Sequence, residues 1–163
     1  MSLYSEFATD PRLEADGFEL VYNGRGGKPL FAVKLRRPGG ANKQYDAIRE
    51  RITAPYRRAR NLNHETNMKI AREIFVEACI VPNSWFTFVE KPELNEKGER
   101  EYERQPGIQD HLPDGSNPIV PASVANLNRI LAAQPQLFEL LAVEANAMDN
   151  YRVEALEDEA KNS

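Results

Sequence analysis

Hydrophobic positions along this chain follow two periods. Between residues 17 and 37, Phe18, Leu20 and Tyr22 alternate with Glu19, Val21 and Asn23, and Phe31, Val33 and Leu35 alternate with Ala32, Lys34 and Arg36. A period of two puts each trio on one face of a strand. Gly24-Arg25-Gly26-Gly27-Lys28 lies between them. Its glycines accept the positive φ of a turn, so the spacing predicts a β-hairpin. Two strands alone are marginal in water, so the apolar face must lie against helices or another subunit.

Pro38-Gly39-Gly40 ends the hairpin, and helical spacing takes over. Tyr45, Ile48, Ile52 and Tyr56 predict a helix from Asn42 to about Arg60, with Pro55 either kinking it or starting a new one. Asn63 is expected to cap a second helix that ends near Val81, before Pro82. Its broad stripe of Ile70, Ala71, Ile74, Phe75, Ala78 and Cys79 marks the centre of the core. Val124, Leu127, Ile130 and Leu131 predict a third helix, with Pro121 in its first turn and Gln134-Pro135 closing it. Leu137, Leu141, Met148 and Ala155 recur at near-heptad spacing, with Phe138, Ala145 and Tyr151 beside them. They predict a last helix from about Pro135 to Glu159.

The rest is less periodic. Residues 1–16 are polar, with a turn signal at Asp10-Pro11, and read as a flexible arm. Trp85-Phe86-Thr87-Phe88-Val89 has strand composition. The charged residues 90–107 that follow, with a turn candidate at Asn95-Glu96-Lys97-Gly98, form either a protruding hairpin or a loop. The expected fold is α+β and mainly α. A single domain spans 17–163, with an N-terminal β-hairpin, about four helices and, on the hairpin alternative, a second hairpin around residues 85–105.

Composition narrows the function classes. Apolar residues are 41% and charged residues 28% of 163, the balance of a soluble globular protein. No apolar run approaches the roughly 18–20 residues of a membrane span, and the first residues show no basic-then-apolar secretory pattern. The lone Cys79 leaves no internal disulfide framework or multi-thiol metal site. Charge is unevenly spread. Residues 1–20 carry net −4, residues 21–60 net +9, residues 61–133 net −4 and residues 134–163 net −5. The basic stretch can be a solvated face, a phosphate-binding stripe, or a contact for an acidic protein surface such as the C-terminal segment of another copy. The acidic total weighs against nucleic acid.

Candidate chemistry is sparse. His64-Glu65 lacks the second histidine of a zinc-protease helix, and His111 lies among turn residues. Cys79 falls on an apolar stripe, where it acts as a small hydrophobe. The glycines near residue 26 precede a strand, and Lys28 is followed by Pro29, so they do not form a phosphate loop. No two carboxylates stand out as a general acid and base. No catalytic residue, metal or cofactor is expected. Trp85, Phe86 and Phe88 form the densest aromatic cluster, serving either the core or a partner-binding anchor.

Several segments, in order, are similar to a known family. They are Gly39-Gly40-Ala41-Asn42-Lys43, Ala54-Pro55-Tyr56-Arg57-Arg58, Asp114-Gly115 through Pro118-Ile119-Val120-Pro121, and Gln134-Pro135-Gln136-Leu137-Phe138. Glu144-Ala145-Asn146 through Asn150-Tyr151-Arg152 then leads to Glu159-Ala160-Lys161-Asn162. Across residues 17–163 the chain resembles the tail assembly chaperones of long-tailed, non-contractile (siphovirus-type) bacteriophages. It departs from them in the charged stretch 90–107.

The resemblance implies a non-enzymatic protein of the host cytoplasm. Such a chaperone binds the tape-measure protein, keeps it soluble, recruits major tail subunits and is not retained in the virion. It also implies self-association and, from the Ala160-Lys161-Asn162 end, a longer form made by programmed frameshifting. Two other readings stay open: a structural tail or head–tail joining protein, and a nucleic-acid-binding regulator using residues 43–60. For partner contacts, Tyr56, Arg57 and Arg58 are expected to meet a neighbour or client. Trp85, Phe86 and Phe88 are expected to anchor an amphipathic helix.

Overall fold

The computed structural model describes residues 2–152. Two short helices, α1 (Leu3–Phe7) and α2 (Pro11–Asp16), lead into β1 (Phe18–Asn23) and β2 (Pro29–Leu35). Helices α3 (Gln44–Thr53) and α4 (His64–Cys79) follow, then β3 (Phe86–Leu94), β4 (Arg100–Pro106) and the short pair β5 (Ile108–Gln109) and β6 (Ile119–Val120). Helices α5 (Val124–Ala133) and α6 (Pro135–Asn146) come last.

The mainly helical expectation is overturned. Strand makes up 24% beside 46% helix, and a four-stranded antiparallel sheet stands with six helices among the described residues. The N-terminal hairpin is half of that sheet, whose order is β1-β2-β3-β4. Its expected faces are correct: Phe18 pairs with Leu35, Leu20 with Val33 and Tyr22 with Phe31, all on one face. Gly26 and Gly27 both take φ +76 in the turn. The second hairpin joins through Phe31↔Thr87 and Ala32↔Phe86. Its outer half is solvated on both faces, so it carries no apolar alternation that would have announced a sheet.

The inner face of the sheet meets the helices. Val33, Leu35, Cys79, Leu131, Leu141 and Tyr151 are the largest fully buried side chains. Helix α4 begins where expected, because the Asn63 side chain accepts the Thr66 amide at 2.7 Å. Ser123 caps α5 in the same way through the Asn126 amide. Helix α3 is shorter than expected. It ends at Thr53, and Pro55 opens a 3₁₀ turn over Ala54–Tyr56. Pro55 lacks the amide that would continue the α-helical ladder.

The last helix is also shorter than its periodicity suggests. It stops at Asn146, and Met148–Tyr151 form a 3₁₀ turn. The Asn150 amide group donates to the Glu144 carbonyl at 2.8 Å, and the Tyr151 hydroxyl donates to the Ala145 carbonyl at 2.8 Å. The Tyr151 hydroxyl thus satisfies a carbonyl the helix end would leave orphaned, and Asn150 adds a second donor to the Glu144 carbonyl, which also accepts the Ala147 amide. The Tyr151 ring is buried edge-on against Phe18, with centroids 5.1 Å apart. Glu157, Asp158, Glu159 and the Ala160-Lys161-Asn162 segment lie outside the described residues.

The expected arm over 1–16 contains α1 and α2, and Asp10, Leu13 and Glu14 are buried. Polarity concealed this, because the buried acids are satisfied. Glu14 receives the Thr9 hydroxyl at 2.7 Å and the Arg37 guanidinium at 2.8 Å. The Asp10 amide donates to the Tyr151 carbonyl at 2.7 Å, and Thr9 bridges to Arg152. Both ends of the described chain are therefore tied together.

Candidate functional site

An open cleft of about 790 Å³ lies between the sheet, the β5–β6 hairpin and α5–α6. Three stacked rings form its floor. Phe31 stacks on Tyr22 at 5.3 Å and on Trp85 at 4.8 Å, with interplanar angles of 19° and 20°. Tyr22 and Phe31 meet because they are a cross-strand pair. Ile108, Ile130, Leu137 and Leu140 line the cleft, and Leu30 stands 47% exposed at its edge.

The rim is polar but internally satisfied. Arg129 on α5 grips Asp110 with two bonds, at 3.0 and 2.8 Å. The Arg129 guanidinium and the His111 amide hold the Asp110 carboxyl below its usual range, and Asp110 in turn raises Arg129. His111 Nδ1 lies 2.8 Å from Asn117 Oδ1. With its charges paired, the cleft offers chiefly apolar area to an occupant. A second cleft of about 350 Å³ lies between the end of α4 and the start of α5, beside Val76, Val81 and Val124.

The expected contact residues do not converge. Trp85 is buried in the floor of the large cleft. Phe86 and Phe88 point to the opposite face of the sheet, where the Arg104 guanidinium lies 5.9 and 5.3 Å from their ring centres. The intervening Thr87 shares the inner face with Phe31, so period-two geometry splits the cluster. Tyr56, Arg57 and Arg58 sit between α3 and α4 and do not line the cleft. Arg57 and Arg58 are exposed and make no ion pair among the described residues, whereas Arg51 pairs with Glu77.

Sequence reasoning missed Tyr22, Phe31, Asp110 and Arg129 as cleft residues. The alternation gave the faces of Tyr22 and Phe31 but not what stood opposite. Nothing local links Asp110 to Arg129. Cys79 is fully buried, and desolvation pushes its thiol up to about 12 despite the nearby Arg36. Among the described residues, no group of three or more His, Cys, Asp or Glu could hold a metal ion, and no helix is long and apolar enough to cross a membrane. No protein-family model, curated protein or solved structure matches the chain.

Proposed function

We propose that this protein is a tail assembly chaperone of siphovirus-type bacteriophages, acting by binding alone. Its client is the tape-measure protein, which it keeps soluble while major tail subunits are recruited. The carrying observation is the open apolar cleft with an aromatic floor and a self-paired rim. An amphipathic helix seats its apolar face in such a groove through anchors three and four residues apart. Leu137 and Leu140, spaced by three on α6, supply matching knobs on the wall. The family resemblance supplies the client's identity.

Co-expression with the tape-measure protein of the same genome tests the proposal. The expected result is a soluble complex, and virions purified from infected cells that lack this chain. A tape-measure protein that stays insoluble overturns it. Retention of the chain in virions favours a structural tail or joining protein instead. Trp85 is the chain's one tryptophan, so its emission reports directly on cleft occupancy by client peptides.

A further inference from the structure

The two edges of the sheet are built differently. Edge strand β4 carries Arg100, Glu101, Glu103 and Arg104 and ends in Pro106, while Pro92 breaks the register of its neighbour β3. Charges and prolines of this kind block edge-to-edge pairing. Edge strand β1 reads Phe-Glu-Leu-Val-Tyr-Asn, with no proline and no lysine. Its one charge, Glu19, is neutralised by Arg104. Val21 is 42% and Tyr22 36% exposed.

The hydrogen-bonding direction of β1 follows from its partner. The Lys34 amide donates to Ser84 Oγ and the Lys34 carbonyl accepts from the Val81 amide, so the Lys34 main chain faces away from β1. Glu19, opposite Lys34, is therefore in a non-hydrogen-bonded pair, and its own N–H and C=O face the open edge. Val21, two residues on, does the same. No other strand pairs with β1 among the described residues.

The ends of β1 are oppositely charged. Asp16 precedes the strand, and Arg25 and Lys28 lie in the turn that follows. All three are exposed and form no ion pair among the described residues. Antiparallel pairing of two identical strands brings each acidic end against the basic turn of the other, whereas parallel pairing would oppose like charges.

We propose that two copies of this chain associate through β1, pairing antiparallel about a two-fold axis to give one continuous eight-stranded sheet. The axis passes through Val21, with Glu19 opposite the partner's Asn23, Leu20 opposite the partner's Tyr22, and Asp16 beside the partner's Arg25 and Lys28. Side chains opposite one another then share a face, as a continuous sheet requires. The interface is isologous and closes at two copies. Because Tyr22 belongs to both the edge and the cleft, the two clefts flank the seam on the same side of the sheet. This contact does not depend on the identity of the client.

Hydrogen exchange and light scattering on the full chain test the contact. The expected result is a mass of two chains and protection of the Glu19 and Val21 amides that rises with protein concentration. Asp16→Lys weakens the dimer by about tenfold, since two exposed ion pairs become repulsive. Adding Arg25→Asp and Lys28→Asp to that variant restores it, and because all three side chains are exposed each variant is expected to keep the native circular dichroism spectrum. Free exchange of both amides at every concentration overturns the proposal, as does failure of the charge swap. Protection that appears only with a client segment assigns the edge to the client instead. A dimer dissolved by Arg57→Glu with Arg58→Glu moves the contact to the α3–α4 turn and overturns it too.

Discussion

Glu19 and Arg104 stand on the two outermost strands of the sheet, yet their side chains meet in a two-bond ion pair at 2.6 and 3.1 Å. Arg104 reaches across its own face, over the Phe86 and Phe88 rings, and Ala32 on that face is fully buried. The hydrogen bond from Arg104 holds the Glu19 carboxyl below its usual range, more than offsetting partial burial. The pair ties β1 to β4 without any backbone bond between them. A double-mutant cycle with Glu19→Gln and Arg104→Ala is expected to give a coupling of about 1 kcal/mol in urea unfolding, the scale of a bidentate but half-exposed pair. A coupling of zero would show that the pair does not link the two edge strands.

Stability should fall in acid, partly through Glu14. Burial alone raises this carboxyl, but hydrogen bonds from Thr9, Arg37 and the Ala41 amide outweigh it, leaving the pKa below the ordinary 4.5. A carboxyl depressed by folding contributes its full stabilisation above its unfolded value and loses it as pH drops through the folded one. Glu14→Gln should cost about 2 kcal/mol at neutral pH and flatten the unfolding profile below pH 4.5. An unchanged acid limb in the variant would refute the assignment. Gly40→Ala should harm the same site, because a Cβ there would lie 1.9 Å from Glu14 Oε2 at φ +57.

Leu137→Glu and Leu140→Glu alter half-buried positions on the cleft wall. Each should lower client-peptide affinity by at least about tenfold, as loss of a central apolar anchor does, while the circular dichroism spectrum stays native. Titration followed by Trp85 emission measures the effect. Native affinity in both variants would move the client elsewhere.

The Tyr151 hydroxyl bonds the Ala145 carbonyl inside the core, and burial raises its pKa. Tyr151→Phe leaves that carbonyl unsatisfied. It should cost about 1 kcal/mol, or about 2–4 °C in Tm for a domain of this size. Calorimetry decides this, and no loss would show that another group replaces the bond.

Cys79 should be inert to thiol reagents in the folded protein at pH 8, because its thiol lies near 12 and is fully buried. Labelling should then proceed at the rate of global unfolding. Rapid labelling under native conditions would contradict the packing around α4.

By itself the sequence determined what local chemistry controls. The faces of β1 and β2 followed from alternation, the start of α4 from the cap at Asn63, and the break between α5 and α6 from Gln134-Pro135. Tertiary structure alone decided where distant segments meet. Period two could place Phe86 and Phe88 on one face, yet only the neighbouring strands set that face under Arg104 and left Trp85 in the cleft. The end of α6 escaped its heptad pattern because burying Tyr151 against Phe18 and bonding its hydroxyl to Ala145 outweigh further helix. The Asp110–Arg129 rim and the buried Glu14–Arg37 pair join charges 19 and 23 residues apart. Such pairs leave no local signature, because their stabilisation exists only once the chain has closed around them.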